Sequence, residues 1–158
     1  MADRPTESVW GYPRPPIVVS DDREIVIEHG GVVIVRTTEA VRVLETSHPP
    51  TFYVPADAVK GAVLVPSRVR THCEFKGVAS YWDLTVEATR SLNAAWGYED
   101  PMPGFEELRG MVAFYPGRVD RCSVADESVR AQEGGFYGGW ITSEIDGPFK
   151  GAPGTSAW

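Results

Sequence analysis

Short runs of alternating apolar and polar residues, joined by connections too brief to hold a helix, constrain this chain more than any other feature. Glu24–Glu28 and Val32–Arg36 alternate on either side of His29-Gly30-Gly31, and a double glycine between two such runs signals a hairpin. Ala40–Thr46 reads as a third strand, with Val41, Val43 and Glu45 on one face, and His48-Pro49-Pro50 stops it. Thr51–Pro55 is a short extended piece fenced by prolines. Gly61–Pro66 is apolar on both faces, as a buried strand would be. Strand character then runs on to about Thr89 and returns at Leu92–Trp96, Met111–Tyr115 and Arg118–Val124. A Pro116-Gly117 turn joins the last two. Only Phe105–Arg109 reads as helix, a turn or two ended by Gly110. Parallel crossovers need about a dozen residues or more, so strands this closely spaced pair antiparallel. The expected fold is mainly β: antiparallel sheets, one short helix and an irregular C-terminal strap.

A chain of 158 residues is one domain by length. Residues 1–22 carry Pro5, Pro13, Pro15 and Pro16 and read as an extended arm rather than packed structure. Residues 23–133 hold the strands. Residues 134–158 are glycine-rich, yet carry Phe136, Tyr137, Trp140, Phe149 and Trp158. Disordered tails are poor in aromatics, so this strap is expected to dock its rings on the domain or on a neighbouring subunit.

The net charge of −7 argues against a nucleic-acid partner or an anionic membrane, since phosphate binding needs a basic surface. No apolar run approaches the roughly 20 residues of a membrane helix. The first residues lack the apolar core of a signal peptide, which makes the cytoplasm the expected compartment. The two cysteines, Cys73 and Cys122, stand far apart, and the three histidines fall in different segments. Neither set has the spacing of a zinc site, and no metal or cofactor is expected. In a reducing compartment both thiols are expected to be free rather than joined in a disulfide.

The stretch Thr71–Trp82 gathers chemistry: Thr-His-Cys-Glu-Phe-Lys-Gly-Val-Ala-Ser-Tyr-Trp. As a strand it turns Cys73 and Phe75 one way and His72, Glu74 and Lys76 the other. Gly77 accepts a turn or bulge that would re-aim Lys76 toward the Cys73 face.

Several runs occur in order along the chain: Leu44-Glu45-Thr46-Ser47-His48-Pro49-Pro50, Phe52-Tyr53-Val54-Pro55, Thr71-His72-Cys73-Glu74-Phe75-Lys76-Gly77, Ala79-Ser80-Tyr81-Trp82, Ala94-Ala95-Trp96-Gly97-Tyr98 and Ala113-Phe114-Tyr115. Over residues 24–124 this combination resembles the family called domain of unknown function 427 (DUF427). The tail, with Gly135-Phe136-Tyr137-Gly138-Gly139-Trp140 and Gly147-Pro148-Phe149-Lys150-Gly151, resembles the family's longer bacterial version. The resemblance implies a compact fold similar to the β-tent, as in methionine-R-sulfoxide reductases and the drug-binding domain of cereblon. Those relatives usually pin their sheets with zinc held by paired CxxC motifs. This chain has no CxxC, and the aromatic strap is expected to act as the pin instead.

Tyr53, Tyr81, Trp96, Tyr98 and Phe114, recurring beside Glu45 and Lys76 in those runs, are expected to wall a pocket with Cys73 in it. Aromatic walls with a few polar anchors suit a small planar or cationic molecule, oriented by Glu45 and Lys76. These two anchors are further expected to form a charge pair, since burying either ion alone is costly. Two other functions stay open. Cys73 is a candidate nucleophile for thiol redox or transfer chemistry, which would need a neighbouring cation or base. Alternatively, the acidic surface and aromatic tail form a scaffold for a protein partner. The oligomeric state is left open.

Overall fold

The computed structural model of the chain describes residues 4–158. Residues 1–3 of the arm lie outside the described residues. Strands β1 (Glu7–Ser8) and β2 (Ile17–Asp21) belong to the arm. The hairpin expected at the double glycine forms from β3 (Ile25–His29) and β4 (Val32–Thr37), with Gly30 and Gly31 at φ 60° and 77°. Strands β5 (Ala40–Leu44) and β6 (Thr51–Pro55) follow, then a meander of β7 (Val63–Cys73), β8 (Gly77–Val86) and β9 (Thr89–Gly97). The remaining strands are short: β10 (Met111–Phe114), β11 (Arg121–Val124), β12 (Glu127–Ser128), β13 (Arg130–Ala131), β14 (Trp140–Ile141) and β15 (Ile145–Asp146).

The protein is mainly β, with antiparallel sheets. Seven strands form the large sheet in the order β2-β5-β6-β10-β9-β8-β7, and four form a second in the order β12-β11-β3-β4. The helical pieces are 3-10 turns, and the expected helix near Phe105–Arg109 is one of them, Glu106–Leu108. No helix among the described residues is long and apolar enough to cross a membrane.

The main core lies between the two sheets. Ile25, Ile27, Ile34 and Val35 of the small sheet meet Phe52, Val54, Leu84, Val86, Val112 and Phe114 of the large one. Strand alternation then forces the intervening residues of the large sheet onto its opposite face. Tyr53 between Phe52 and Val54, and Ala113 between Val112 and Phe114, belong to a second cluster there with Tyr81, Trp96, Tyr98 and Tyr115. A sheet buried on both faces leaves one side free to carry a site while the other carries the fold.

Three differences from the sequence reading have local causes. Gly61–Pro66 is not a buried strand: β7 is the edge of the large sheet, and Val63 is 61% exposed. Pro66 lacks the N–H of a central strand and sits where the β7–β8 register shifts. The stretch through Cys73 is not one continuous strand, because Glu74–Lys76 form the turn of the β7–β8 hairpin. The arm is extended but packed, since Val9 is fully buried and β2 pairs with β5 over five residues.

The strap threads back onto the domain. The Trp140 backbone N–H donates to Pro50 O at 2.7 Å, its indole Nε1 donates to Phe114 O at 3.1 Å, and its ring stacks on Phe52 at 4.8 Å. With Trp140 only 1% exposed, the strap contributes to the core itself. Charges tie it down at the other end of the sheet. Arg23 bridges Asp21 and Glu144 at 2.7 and 2.6 Å, and Arg42 bridges Asp21 and Glu7 at 3.2 and 3.0 Å.

Candidate functional site

On the outer face of the large sheet the registers bring one row of side chains together. Tyr53 stands opposite Ala113, Ala113 opposite Trp96, and Trp96 opposite Tyr81. The small Ala113 lets Tyr53 and Trp96 approach edge to face, with ring centroids 6.2 Å apart at 72°. Tyr115 leans on the other side of Trp96 at 4.4 Å. Over this row lies a cavity of about 240 Å³. Sheet residues form one wall, the β7–β8 hairpin tip a second, and the strap a third.

The hairpin tip supplies Cys73 and Lys76. Gly77 has φ +111°, a conformation that costs glycine little, and it reverses the chain so that Lys76 faces inward. The Met102 N–H donates to Lys76 O at 2.9 Å and fixes the turn. Lys76 is only 9% exposed, and its ammonium lies 5.7 Å from the centroid of the Tyr98 ring. The strap supplies Tyr137, Gly138 and Lys150, whose ammonium sits 5.5 Å from the Tyr137 ring. Tyr115 Oη donates to Phe136 O at 2.9 Å, joining sheet to strap.

Gln132 orients His48. Its Oε1 accepts from the Gly139 N–H at 3.1 Å and its Nε2 donates to Lys150 O at 2.7 Å, which fixes the amide. The second Nε2 proton then points at His48 Nδ1, 3.3 Å away, so Nδ1 accepts and the ring proton sits on Nε2. Burial, with Lys150, Arg14 and Lys76 nearby, pushes the His48 pKa down to about 4. The imidazole is therefore neutral at pH 7, and its 4.0 Å approach to the Glu45 carboxylate is not an ion pair there. Burial also drives the Tyr53 and Tyr98 hydroxyls above the ordinary tyrosine range, and they stay protonated.

Of the residues expected from the sequence, Glu45, Tyr53, Cys73, Lys76, Tyr81, Trp96 and Tyr98 line this one cavity. Phe114 does not. It is fully buried on the opposite face, in the core between the sheets, and its neighbour Tyr115 takes the cavity position. The expected Glu45–Lys76 charge pair does not form. Arg14 of the arm reaches the Glu45 carboxylate at 3.6 Å, while Lys76 turns to Tyr98. His72, expected to face away from Cys73, also reaches the cavity, because the strand ends at Cys73. The residues that sequence reasoning missed are mainly His48, Gln132, Tyr137 and Lys150. His48 stood inside a recognised run, but the strap residues carried no signal of where they fold back.

Cys73 and Cys122 are both free thiols in different places. Cys73 lines the cavity, whereas Cys122 is 2% exposed in the core between the sheets, where burial pushes its pKa up. Among the described residues, no three His, Cys, Asp or Glu side chains gather closely enough to hold a metal ion.

No curated protein matches the chain. The family described as a domain of unknown function (DUF427) matches residues 17–125. That span contains the sheet wall and hairpin tip of the cavity but neither Arg14 nor the strap. Matched over most of its length, the chain belongs to the DUF427 family.

Proposed function

We propose that this protein binds a small planar molecule in the cavity over Tyr53, Trp96 and Tyr115. The observation that carries this reading is the enclosure itself: three separate chain segments converge on aromatic walls around about 240 Å³. That volume lies just below the range of drug-sized sites, roughly 300–1,000 Å³, and with a few converging polar groups it suits a correspondingly small ligand. Between the planar and cationic ligands that aromatic walls accept, the planar one is favoured. Glu45, the carboxylate that would meet a cation, is already met by Arg14 at 3.6 Å. The two free thiols suit a reducing compartment such as the cytoplasm.

The test is a thermal-shift and calorimetric screen with bicyclic aromatic probes, repeated on Trp96→Ala. Binding that raises the melting temperature and is lost in the variant supports the reading; no response to any planar probe overturns it. A second reading, thiol transfer or redox chemistry at Cys73, draws on the placement of that thiol in the same cavity. It requires product formation from a bound electrophile that stops in Cys73→Ser.

A further inference from the structure

We propose that the ligand of this cavity carries an oxyanion, a carboxylate or a phosphate, seated on the Lys76 ammonium with the Lys150 ammonium close by. The inference rests on the binding reading above and names the chemistry of its ligand. Lys76 is more than nine-tenths buried, yet no carboxylate ion-pairs with it among the described residues. Its ammonium sits over the Tyr98 ring, 5.7 Å from the centroid. The ammonium opens onto the cavity, and over an aromatic face it still lacks the charged partner that a bound anion would supply.

The carboxylates on the cavity do not supply that partner. Glu45 is engaged by Arg14 at 3.6 Å, and Glu74 is exposed at the hairpin turn. Lys150 likewise has an aromatic ring, not a carboxylate, beneath its ammonium at 5.5 Å. Burial does most to depress the His48 pKa, and Lys150, Arg14 and Lys76 add to it, so cations gather on this side of the cavity inside a protein of net charge −7. The protonated Tyr98 hydroxyl adds a donor to the same cavity. Ammoniums donate and do not accept, and a protonated phenol can donate beside them, which is the complement of an oxyanion. The planar walls and this donor set together select an aromatic or heteroaromatic acid.

The test uses four probes sharing one ring: naphthoate, naphthyl phosphate, naphthylmethanol and naphthylmethylammonium, titrated calorimetrically against the full chain. The expected result is that an anion binds at least about tenfold more tightly than the alcohol, the scale of one charge-assisted hydrogen bond. The ammonium should bind weakest. Whichever anion is tighter identifies the source as carboxylate or phosphate. Lys76→Gln should remove the preference while leaving the alcohol's affinity in place, and Lys76→Arg should keep most of it. If the alcohol or the ammonium binds as tightly as either anion, the oxyanion falls and the planar pocket stands. If no probe binds, both fall. Should Lys76→Gln fail to fold, Lys150→Gln carries the test, and an anion preference unchanged in that variant overturns the proposal.

Discussion

Gly138 lies flat against the indole of Trp96: a β-carbon at position 138 would meet Cζ3 of that ring at 2.6 Å, with Cη2 closer still. The strap therefore closes over the cavity wall only because residue 138 has no side chain. Gly138→Ala should force the strap off Trp96 or the ring out of its place, costing about 1–3 kcal/mol as overpacking does. Urea denaturation measures this. An unchanged midpoint and slope would show that the strap does not press on Trp96.

Neutral His48 makes stability depend on pH in a defined window. Its folded pKa of about 4 lies below the 6.5 of an exposed imidazole, so between those values the unfolded chain binds the extra proton. The contribution is complete above pH 6.5 and is lost as pH falls through the window. From pH 7 to pH 5 the wild type should lose about 2 kcal/mol from this group. His48→Asn should lose correspondingly less over the same interval. Parallel pH profiles for the two proteins would place His48 in water instead.

The two thiols should separate in reactivity. Cys73 opens on the cavity, while Cys122 is 2% exposed and its thiol is held protonated by burial. Iodoacetamide on the native protein should modify Cys73 and leave Cys122 untouched until the chain is denatured. A molecule occupying the cavity should slow the labelling of Cys73. Mass spectrometry of the peptides reads both effects, and native labelling of Cys122 would contradict the core placement.

Arg42 holds two carboxylates from different segments, Glu7 at 3.0 Å and Asp21 at 3.2 Å, with its own side chain 8% exposed. Arg42→Met should cost about 3 kcal/mol, because it strands the 2%-exposed Asp21 carboxylate with Arg23 alone and frees the arm. Burial would raise the pKa values of Glu7, Asp21 and Glu144; Arg42 and Tyr12 at Glu7, Arg23 and Arg42 at Asp21, and Thr142 and Arg23 at Glu144 outweigh it and lower all three. Their contribution is complete above the ordinary carboxyl range near pH 4 and is lost as pH falls through the lowered folded values. An acid-unfolding midpoint identical in wild type and Arg42→Met would remove this network from the account.

Much of the cavity was legible because its aromatic wall is local. Tyr53, Tyr81 and Trp96 announce themselves as large rings at strand positions, and alternation assigns each a face. The same alternation shows why Phe114 misled: it is as aromatic as Tyr115, and nothing short of the β10 pairing decides which of the two faces the cavity. A shift of one residue exchanges the faces of a strand. Glu45 was read correctly as wanting a cation, but the cation came from Arg14, across the sheet edge, and not from Lys76.

By itself the sequence determined most of the strands between residues 24 and 124, the β3–β4 hairpin, the antiparallel class and the family. Each of these follows from spacing and turn chemistry within a few residues, where backbone sterics act. Only the tertiary structure decided that Gly61–Pro66 lies at an edge, that Trp140 enters the core, and that Gln132 and Lys150 return to His48. Those outcomes depend on which distant segment occupies each face. That choice is set by the burial of whole side-chain clusters and by long-range hydrogen bonds, to which no short stretch of sequence holds more than one half.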